Sequence, residues 1–191
     1  MIYVKASVRR PAGNPGNGIQ PKDQLVIYDV DDILSFPPRN DAGVVIEEDI
    51  VMKAGRYAIG IYLTPGTAEI SSNSDGETDA EGYTPSVKFN HPGNEQEIRE
   101  FKTNWLSKKC IVVLRYCSGK PADLIGTPCN PCKLSVSYTG SNESNTNELT
   151  FTQISKGDDI AIYRGTDTLE EPGAVVEAGA TDIDYQTDGQ Y

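Results

Sequence analysis

The chain has 191 residues, 37% of them hydrophobic, and its 28 acidic residues outnumber its 17 basic residues to give a formal net charge of −11. This charge argues against a nucleic-acid-binding protein, because such proteins need a basic face that replaces phosphate counterions. The length suits one domain, with or without a tail, and allows a core that needs no disulfide. No apolar run approaches the roughly 18 residues of a membrane helix, and no signal peptide is apparent, so we expect reduced cysteines in a cytosolic environment.

Alternation of apolar and polar residues predicts the strands of the first third of the chain. Ile2, Val4, Ala6 and Val8 alternate with polar residues and predict a half-buried strand over residues 1–9. Further strands or extended pieces are predicted at residues 25–30, 44–46, 50–52 and 57–63. Pro- and Gly-rich breaks predict loops at residues 11–21 and 36–41.

Residues 67–85 form an acidic stretch rich in Ser, Asp, Glu and Gly, which predicts a long loop that is solvated or contacts another subunit. Asn73, Asp75, Glu77 and Asp79 alternate in a way that resembles a calcium-binding loop. An EF-hand needs Gly at its sixth position, where this chain has Thr78, and no helix is predicted ahead of it. We therefore expect no calcium site, and a short strand at residues 86–90.

The only helix that the sequence predicts covers about residues 94–108. Asn94 is the expected N-cap and Glu97 completes a capping box, while Lys108 and Lys109 suit the opposite end of the helix dipole. One apolar stripe at helical spacing predicts that the helix packs on a sheet. The stripe consists of Ile98, Phe101, Trp105 and Leu106.

The second half predicts a strand meander. Residues 110–117 are apolar on both faces, as in a central strand, and further strands are predicted at residues 132–139, 149–154 and 160–163. The fold class is therefore mainly β, an antiparallel β-sandwich or barrel with one flanking helix and long loops or arms. The expected domains are a β-sandwich over residues 1–164, with the acidic loop at 67–85, and an acidic C-terminal arm over residues 165–191.

Four cysteines have the spacing C-x6-C-x11-C-x2-C. Cys110 and Cys117 are seven residues apart on one predicted strand and so point to opposite faces, which disfavours a shared zinc ion. Cys129 and Cys132 form a Cys-x-x-Cys that leads into a strand, whereas a redox motif needs a helix N-terminus. We expect a Pro-stiffened turn with structural thiols, with a zinc or thiol-active site built from all four as an alternative.

No catalytic, cofactor-binding or metal-binding residues are predicted. His91 is the only histidine, and no catalytic triad can be assembled around it. The glycine-rich "GNPGNG" at residues 13–18 lacks the Lys-Ser/Thr and the helix of a phosphate-binding loop. The sequence thus predicts a protein that is not an enzyme.

Two segments carry a resemblance to a known class of proteins. They are "KKCIVVLRYCSGKPADLIGTPCNPCKLSVSYTG" at residues 108–140 and "ELTFTQISKGDDIAIYRG" at residues 148–165. With the order of the predicted elements, they resemble tailed-bacteriophage virion proteins of the tail-tube and head–tail connector ring type, closest to those of crAss-like phages.

The resemblance implies a structural virion protein in a homo-oligomeric ring that forms part of the DNA-ejection conduit. Portal, tail or other ring proteins would be its partners, with no sequence-specific DNA binding and no membrane. Loops or arms of such proteins reach over neighbouring subunits, and the candidates here are residues 11–21, 67–85 and 165–191. Carboxylates that line a channel would repel DNA phosphates and let the duplex slide.

A binding module is the alternative function. A β-sandwich can recognise a cell-surface glycan or a partner protein through exposed aromatic side chains. The candidates are Tyr57, Tyr62, Tyr83 and Trp105.

Overall fold

The computed structural model describes residues 5–14 and 16–169, and in this part of the chain the fold is mainly β with one α-helix, which confirms the predicted fold class. The helix α1 spans Gln96–Trp105, and a short 3-10 turn spans Val30–Asp32. The strands are β1 Pro21–Asp29, β2 Ile33–Ser35, β3 Val45–Ile46, β4 Val51–Met52, β5 Ile59–Tyr62, β6 Glu69–Asp75, β7 Gly82–Pro92, β8 Cys110–Tyr116, β9 Ala122–Ile125, β10 Cys132–Gly140, β11 Asn145–Gln153 and β12 Ala161–Tyr163.

Ten of the strands form two layers that meet at one corner, and β2 pairs with β4 in a separate two-stranded sheet. The central sheet has the strand order β5-β1-β8-β9-β12-β3, and the outer sheet has the order β10-β11-β7-β6. A single residue pair, Cys110 with Cys132, joins β8 to β10 at the corner. All neighbours are antiparallel except β12 and β3, which are parallel. The described strands therefore make a sandwich, and not a closed barrel.

The larger core fills the space between the two sheets. Alternate residues of β1 and β8 face it from the central sheet, and alternate residues of β7, β10 and β11 face it from the outer sheet. Phe89 and Phe151 stack across the outer sheet with ring centroids 6.3 Å apart. Ile98, Phe101 and Trp105 of α1 pack against the same core, as predicted, whereas Leu106 is 55% exposed.

The opposite face of the central sheet is also buried. Tyr28, Ile111, Val113 and Tyr163 lie on this face and are fully buried. Side chains from the loops and short strands after β1, together with Leu169, cover them. Because both faces are covered, β8 reads as a continuous apolar run, and the prediction of a central strand at residues 110–117 is confirmed.

The predicted strand over residues 1–9 is wrong for the residues that the structure describes. Residues 5–10 lie in no strand and are exposed, and Val8 is 97% exposed. Ile2 and Val4 lie outside the described residues. The alternating pattern requires a neighbouring strand before it can become structure, and residues 5–10 pair with no strand in the described part of the chain.

The predicted loop over residues 67–85 is also wrong, because these residues form a hairpin. Strand β6 pairs with the first half of β7 over seven residue pairs, from Glu69 with Lys88 to Asp75 with Gly82. Ile70 packs against the larger core, so the stretch does contribute to it. The turn is confined to residues 76–81, where Gly76 and Asp79 have positive φ.

The start of the helix and one additional strand also differ from the expectations. The helix begins after Glu95, whose side chain makes no capping bond, and Asn94 instead accepts a hydrogen bond from Lys102 at 2.9 Å. Strand β9 was not predicted and lies in the expected connection between Cys117 and Cys132.

In the predicted C-terminal arm, residues 165–169 pack on the central sheet, and residues 170–191 lie outside the described residues. No helix in the described part of the chain is long and apolar enough to cross a membrane.

Candidate functional site

The four cysteines do not come together. Cys110 and Cys132 are buried opposite each other on β8 and β10, and the Cys110 thiol donates to the Cys132 carbonyl at 3.4 Å. Burial raises the pKa of Cys110 to about 12 and also raises the pKa of Cys132, which disfavours the thiolate that metal binding and redox exchange require. Cys117 and Cys129 lie on the surface.

The Cys-x-x-Cys turn belongs to a tied group of loops. The Arg39 guanidinium donates to the backbone carbonyls of Gly43 at 3.0 Å and Asp159 at 2.7 Å, and its Nε lies 3.8 Å from the Asp158 carboxylate. Asn130 donates to the Ser155 carbonyl at 2.7 Å. The cleft beside Arg39 has a volume of about 610 Å³. Carbonyls occupy both terminal nitrogens of the guanidinium, so it fastens the loops together and does not present an open anion site.

A second polar cluster fixes α1 over one end of the sandwich. The Lys102 ammonium donates to Asn94 at 2.9 Å and to the buried Asn147 at 2.6 Å, and it lies 5.1 Å from the centre of the Tyr138 ring. His91 contacts Tyr62 edge to face, with ring centroids 6.2 Å apart. Burial lowers the pKa of His91, and its Nδ1 has no hydrogen-bond partner in the described residues. The neutral imidazole therefore serves packing.

A third cluster ties residues 165–169 to the central sheet. The Asp167 carboxylate accepts from the Tyr28 hydroxyl at 2.6 Å and from the Arg115 guanidinium, which also donates to the Gly165 carbonyl at 2.7 Å. Burial and the Asp167 charge raise the pKa of Tyr28, so its hydroxyl stays protonated as the donor. These contacts give the Asp167 carboxylate hydrogen-bond partners, although its side chain is only 6% exposed.

Two other polar groups pair at the edge of the larger core. The Tyr116 hydroxyl donates to Asp123 at 2.5 Å, and burial raises the pKa of both groups. Both polar side chains thus have a partner and leave no group free for a ligand.

The acidic hairpin does not gather its carboxylates around one point. Lys156 lies 3.1 Å from Asp75 and lowers its pKa, and Lys88 lies 3.4 Å from Glu69. Among the described residues, no group of three or more His, Cys, Asp or Glu side chains could hold a metal ion. The calcium-like spacing of Asn73, Asp75, Glu77 and Asp79 therefore corresponds to a strand end and a turn.

The aromatic candidates for glycan binding do not share one surface. Tyr62 contacts His91 near the end of β7, whereas Tyr83 lies near its start, which separates them by about 26 Å along an antiparallel strand. Trp105 stacks on Phe101 at 5.7 Å and packs against the core. Tyr57 is 51% exposed and precedes β5. A single aromatic platform is therefore not formed by these four side chains.

The outer sheet has an open edge at β6. Strand β6 is the last strand of that sheet, so one side of a seven-residue strand is unpaired within the described residues. Such an edge presents backbone donors and acceptors to any extended segment. The adjoining turn carries Glu77, Asp79 and Glu81, which take part in no ion pair in the described part of the chain.

A basic segment, residues 5–10, has the opposite charge to the acidic turn beside β6. Lys5, Arg9, Arg10 and Lys22 all precede Asp23, the first of the 28 acidic residues. Residues 5–10 are exposed and make none of the backbone hydrogen bonds found among the described residues.

Comparison with known proteins identifies no relative, because no family model, no curated protein and no solved structure matches the chain.

Proposed function

We propose that this chain is a structural subunit of a tailed-bacteriophage virion that assembles head to tail into a homo-oligomeric ring in the tail or head–tail connector. The observation that carries this proposal is the coexistence of an unpaired acidic strand edge at β6 and an exposed basic segment at residues 5–10. Two different, complementary surfaces on one chain favour a heterologous contact, and heterologous contacts generate a closed ring when the rotation between neighbouring subunits closes.

An open edge favours assembly because an isolated subunit leaves it exposed. Natural proteins cover, shorten or charge such edges to prevent uncontrolled pairing. Glu69 and Asp75 place charge at the two ends of β6, and the five residues between them are uncharged. A neighbouring subunit that covers this edge would satisfy its backbone groups and limit pairing to one partner.

The charge of the chain supports a conduit role within the ring. With 28 acidic and 17 basic residues in 191 and a sequence pI of about 4.5, the subunit has a net negative charge that repels phosphates. A DNA channel built from such subunits lets the duplex pass without holding it. The predicted partners in the virion are portal, tail and other ring proteins.

The polar clusters also support a scaffold. Lys102 holds α1 to the sandwich, Arg39 holds its own loop to the loop at residues 158–159, and Asp167 holds residues 165–169 to the central sheet. Each cluster joins segments that are far apart in sequence. Such ties stiffen a subunit that must keep its shape in a large assembly, and we propose no catalytic role for them.

Electron microscopy of the purified full-length protein tests the proposal. We expect closed rings of uniform diameter, and no shift of double-stranded DNA in a gel at physiological salt. A protein that stays strictly monomeric at high concentration, alone and when mixed with the portal and tail proteins of its virion, would contradict the ring.

Glycan recognition is the alternative, and a glycan array separates it from assembly. Binding that is lost in Tyr57→Ala, Tyr62→Ala or Tyr83→Ala would favour the binding module. The separation of these side chains speaks against a single aromatic platform.

A further inference from the structure

The basic segment has the alternation of a strand without a strand partner. Ala6 and Val8 alternate with Lys5, Ser7 and Arg9. Val8 is 97% exposed, which leaves the apolar side of the pattern in water. A strand with one apolar side becomes stable when it joins a sheet that has an apolar face at its edge.

The edge of β6 offers such a face. Ile70 is half-buried, packs against the larger core and begins an apolar row that continues across the outer sheet through Val87, Phe151 and Leu134. A strand added beside β6 would place its apolar side chains next to Ile70 and extend this row by one member. Its polar side chains would point outward, on the face that carries Glu69 and Lys88.

Charge sets the direction of the added strand. Glu69 is already paired with Lys88, whereas Glu77, Asp79 and Glu81 crowd the other end of the hairpin without a paired base in the described residues. Arg9 and Arg10 are adjacent and end the alternating pattern. Their attraction to the acidic turn favours a strand that runs parallel to β6.

The connection is long enough to reach a neighbour. Residues 11–20 link the basic segment to β1, and ten extended residues span up to about 33 Å. In the described chain, residues 5–10 pair with no strand. A second copy, held close in a ring, supplies the edge at high local concentration.

We propose that residues 5–10 of one subunit add to the free edge of β6 in a neighbouring copy as a parallel strand, with Arg9 and Arg10 against the acidic turn at residues 76–81. The inference rests on the proposed ring and specifies the contact that closes it. Backbone hydrogen bonds provide the affinity of such strand addition, and side chains on alternate positions provide its specificity.

Photo-crosslinking locates the contact. A benzoylphenylalanine is placed at Ser7 of the full-length protein, and labelled and unlabelled (¹⁵N and ¹⁴N) subunits are mixed before irradiation. We expect mixed-isotope cross-links to peptides that contain residues 69–81. The same group at Glu143, in the turn between β10 and β11, is the matched control and should give none. Cross-links from position 7 that stay within one chain, or that go to other strands, would overturn the proposal.

Charge exchange tests the direction. We expect Arg9→Glu with Arg10→Glu, and separately Glu77→Arg with Glu81→Arg, to weaken assembly by about tenfold or more, and the combined variant to recover most of the loss. Glu48→Arg with Glu143→Arg changes the same number of exposed acids elsewhere and should leave assembly unchanged. A combined variant no better than either parent would contradict the parallel arrangement.

Deletion of residues 2–10 separates this inference from the ring itself. We expect the shortened protein to fold, with the β-type circular dichroism spectrum of the full chain and a cooperative unfolding transition, and to remain monomeric where the full chain forms rings. Rings that persist after the deletion would overturn strand addition and leave the ring standing. A full chain that never forms rings, even with its virion partners, would instead remove the proposed function.

Discussion

The two sheets of this protein differ in the number of faces that they bury, and their sequences differ accordingly. Strand β8 of the central sheet begins with five consecutive buried residues, whereas β11 of the outer sheet alternates between buried and accessible positions. A strand that is buried on both faces carries apolar residues at consecutive positions, whereas a strand with one solvent-exposed face alternates apolar and polar residues. The comparison explains why the same fold contains both patterns.

The solvent-facing side of the outer sheet, its wet face, carries polar side chains in register. Ser135, Thr150, Lys88 and Glu69 occupy one row across four strands, and the Lys88–Glu69 pair ends it. Hydroxyl and charged pairs across strands stabilise a sheet modestly without an apolar cover. The outer sheet therefore depends on its single core face for most of its stability.

The largest expected effect tests this dependence. Phe151→Ala removes a fully buried ring from the core face of β11 and should lower the free energy of unfolding by about 3–5 kcal/mol. Thr150→Ala, the adjacent residue on the wet face, should change it by no more than about 0.5 kcal/mol. Urea denaturation of the two variants measures both values. Comparable losses would show that the wet face is covered in the folded protein.

The central sheet should respond equally on its two faces. Ile111 faces the smaller core and Leu114 faces the larger one, and both are almost completely buried. We expect Ile111→Ala and Leu114→Ala each to lower the free energy of unfolding by about 2–5 kcal/mol, again by urea denaturation. A negligible loss for Ile111→Ala would mean that the loops do not exclude water from that face.

The tie at Asp167 determines how firmly the second face is covered. Asp167→Asn replaces a carboxylate that accepts from Tyr28 and Arg115 with an amide that brings its own N–H donors, so one contact is lost. We expect a loss of about 1–3 kcal/mol in the free energy of unfolding and faster hydrogen exchange at Ala58, whose amide bonds to Thr168. Asp41→Asn, an exposed control, should change neither. Unaltered exchange at Ala58 in Asp167→Asn would show that the cover holds without the carboxylate.

The sequence predicted strands best where the apolar residues of a strand follow a clear periodicity. Strand β8 and the pair β10–β11 carry periodicities that leave little choice of structure. Strand β6 was hidden because "EISSNSD" is too polar to indicate burial, and its pairing with β7 supplies what the side chains lack. Strand β9 has only four residues, between Pro121 and Gly126, and resembles a loop.

The polar ties could not be predicted from local patterns. Asp167 reaches Tyr28 across 139 positions of sequence, and Arg39 reaches Asp159 across 120. Contacts between residues so far apart in sequence produce no local pattern from which they could be predicted. The basic segment shows the converse case, because its strand pattern is clear and its partner is missing from the described chain.

The smallest expected effect concerns His91 on the core face of the outer sheet, near Tyr62 and Lys102. Burial lowers its pKa below the ordinary value of 6.5, so the folded protein binds this proton less readily than the unfolded chain. Its stabilisation is complete above pH 6.5 and is lost as the pH falls through the lowered pKa. His91→Phe keeps the ring contact and removes the titration and the unpaired Nδ1.

We expect His91→Phe to lie within about 1 kcal/mol of the parent at pH 7.5 and to lose less stability than the parent as the pH falls below 6.5. Urea denaturation at several pH values between 7.5 and 5 measures the difference. His91→Gln, which also lacks the titration but loses the ring contact with Tyr62, serves as the control and should show the same flattened pH dependence at a lower overall stability. If the parent and both variants changed in parallel, the imidazole would be free to take up its proton in the folded protein, and the wet face would then extend to the end of β7.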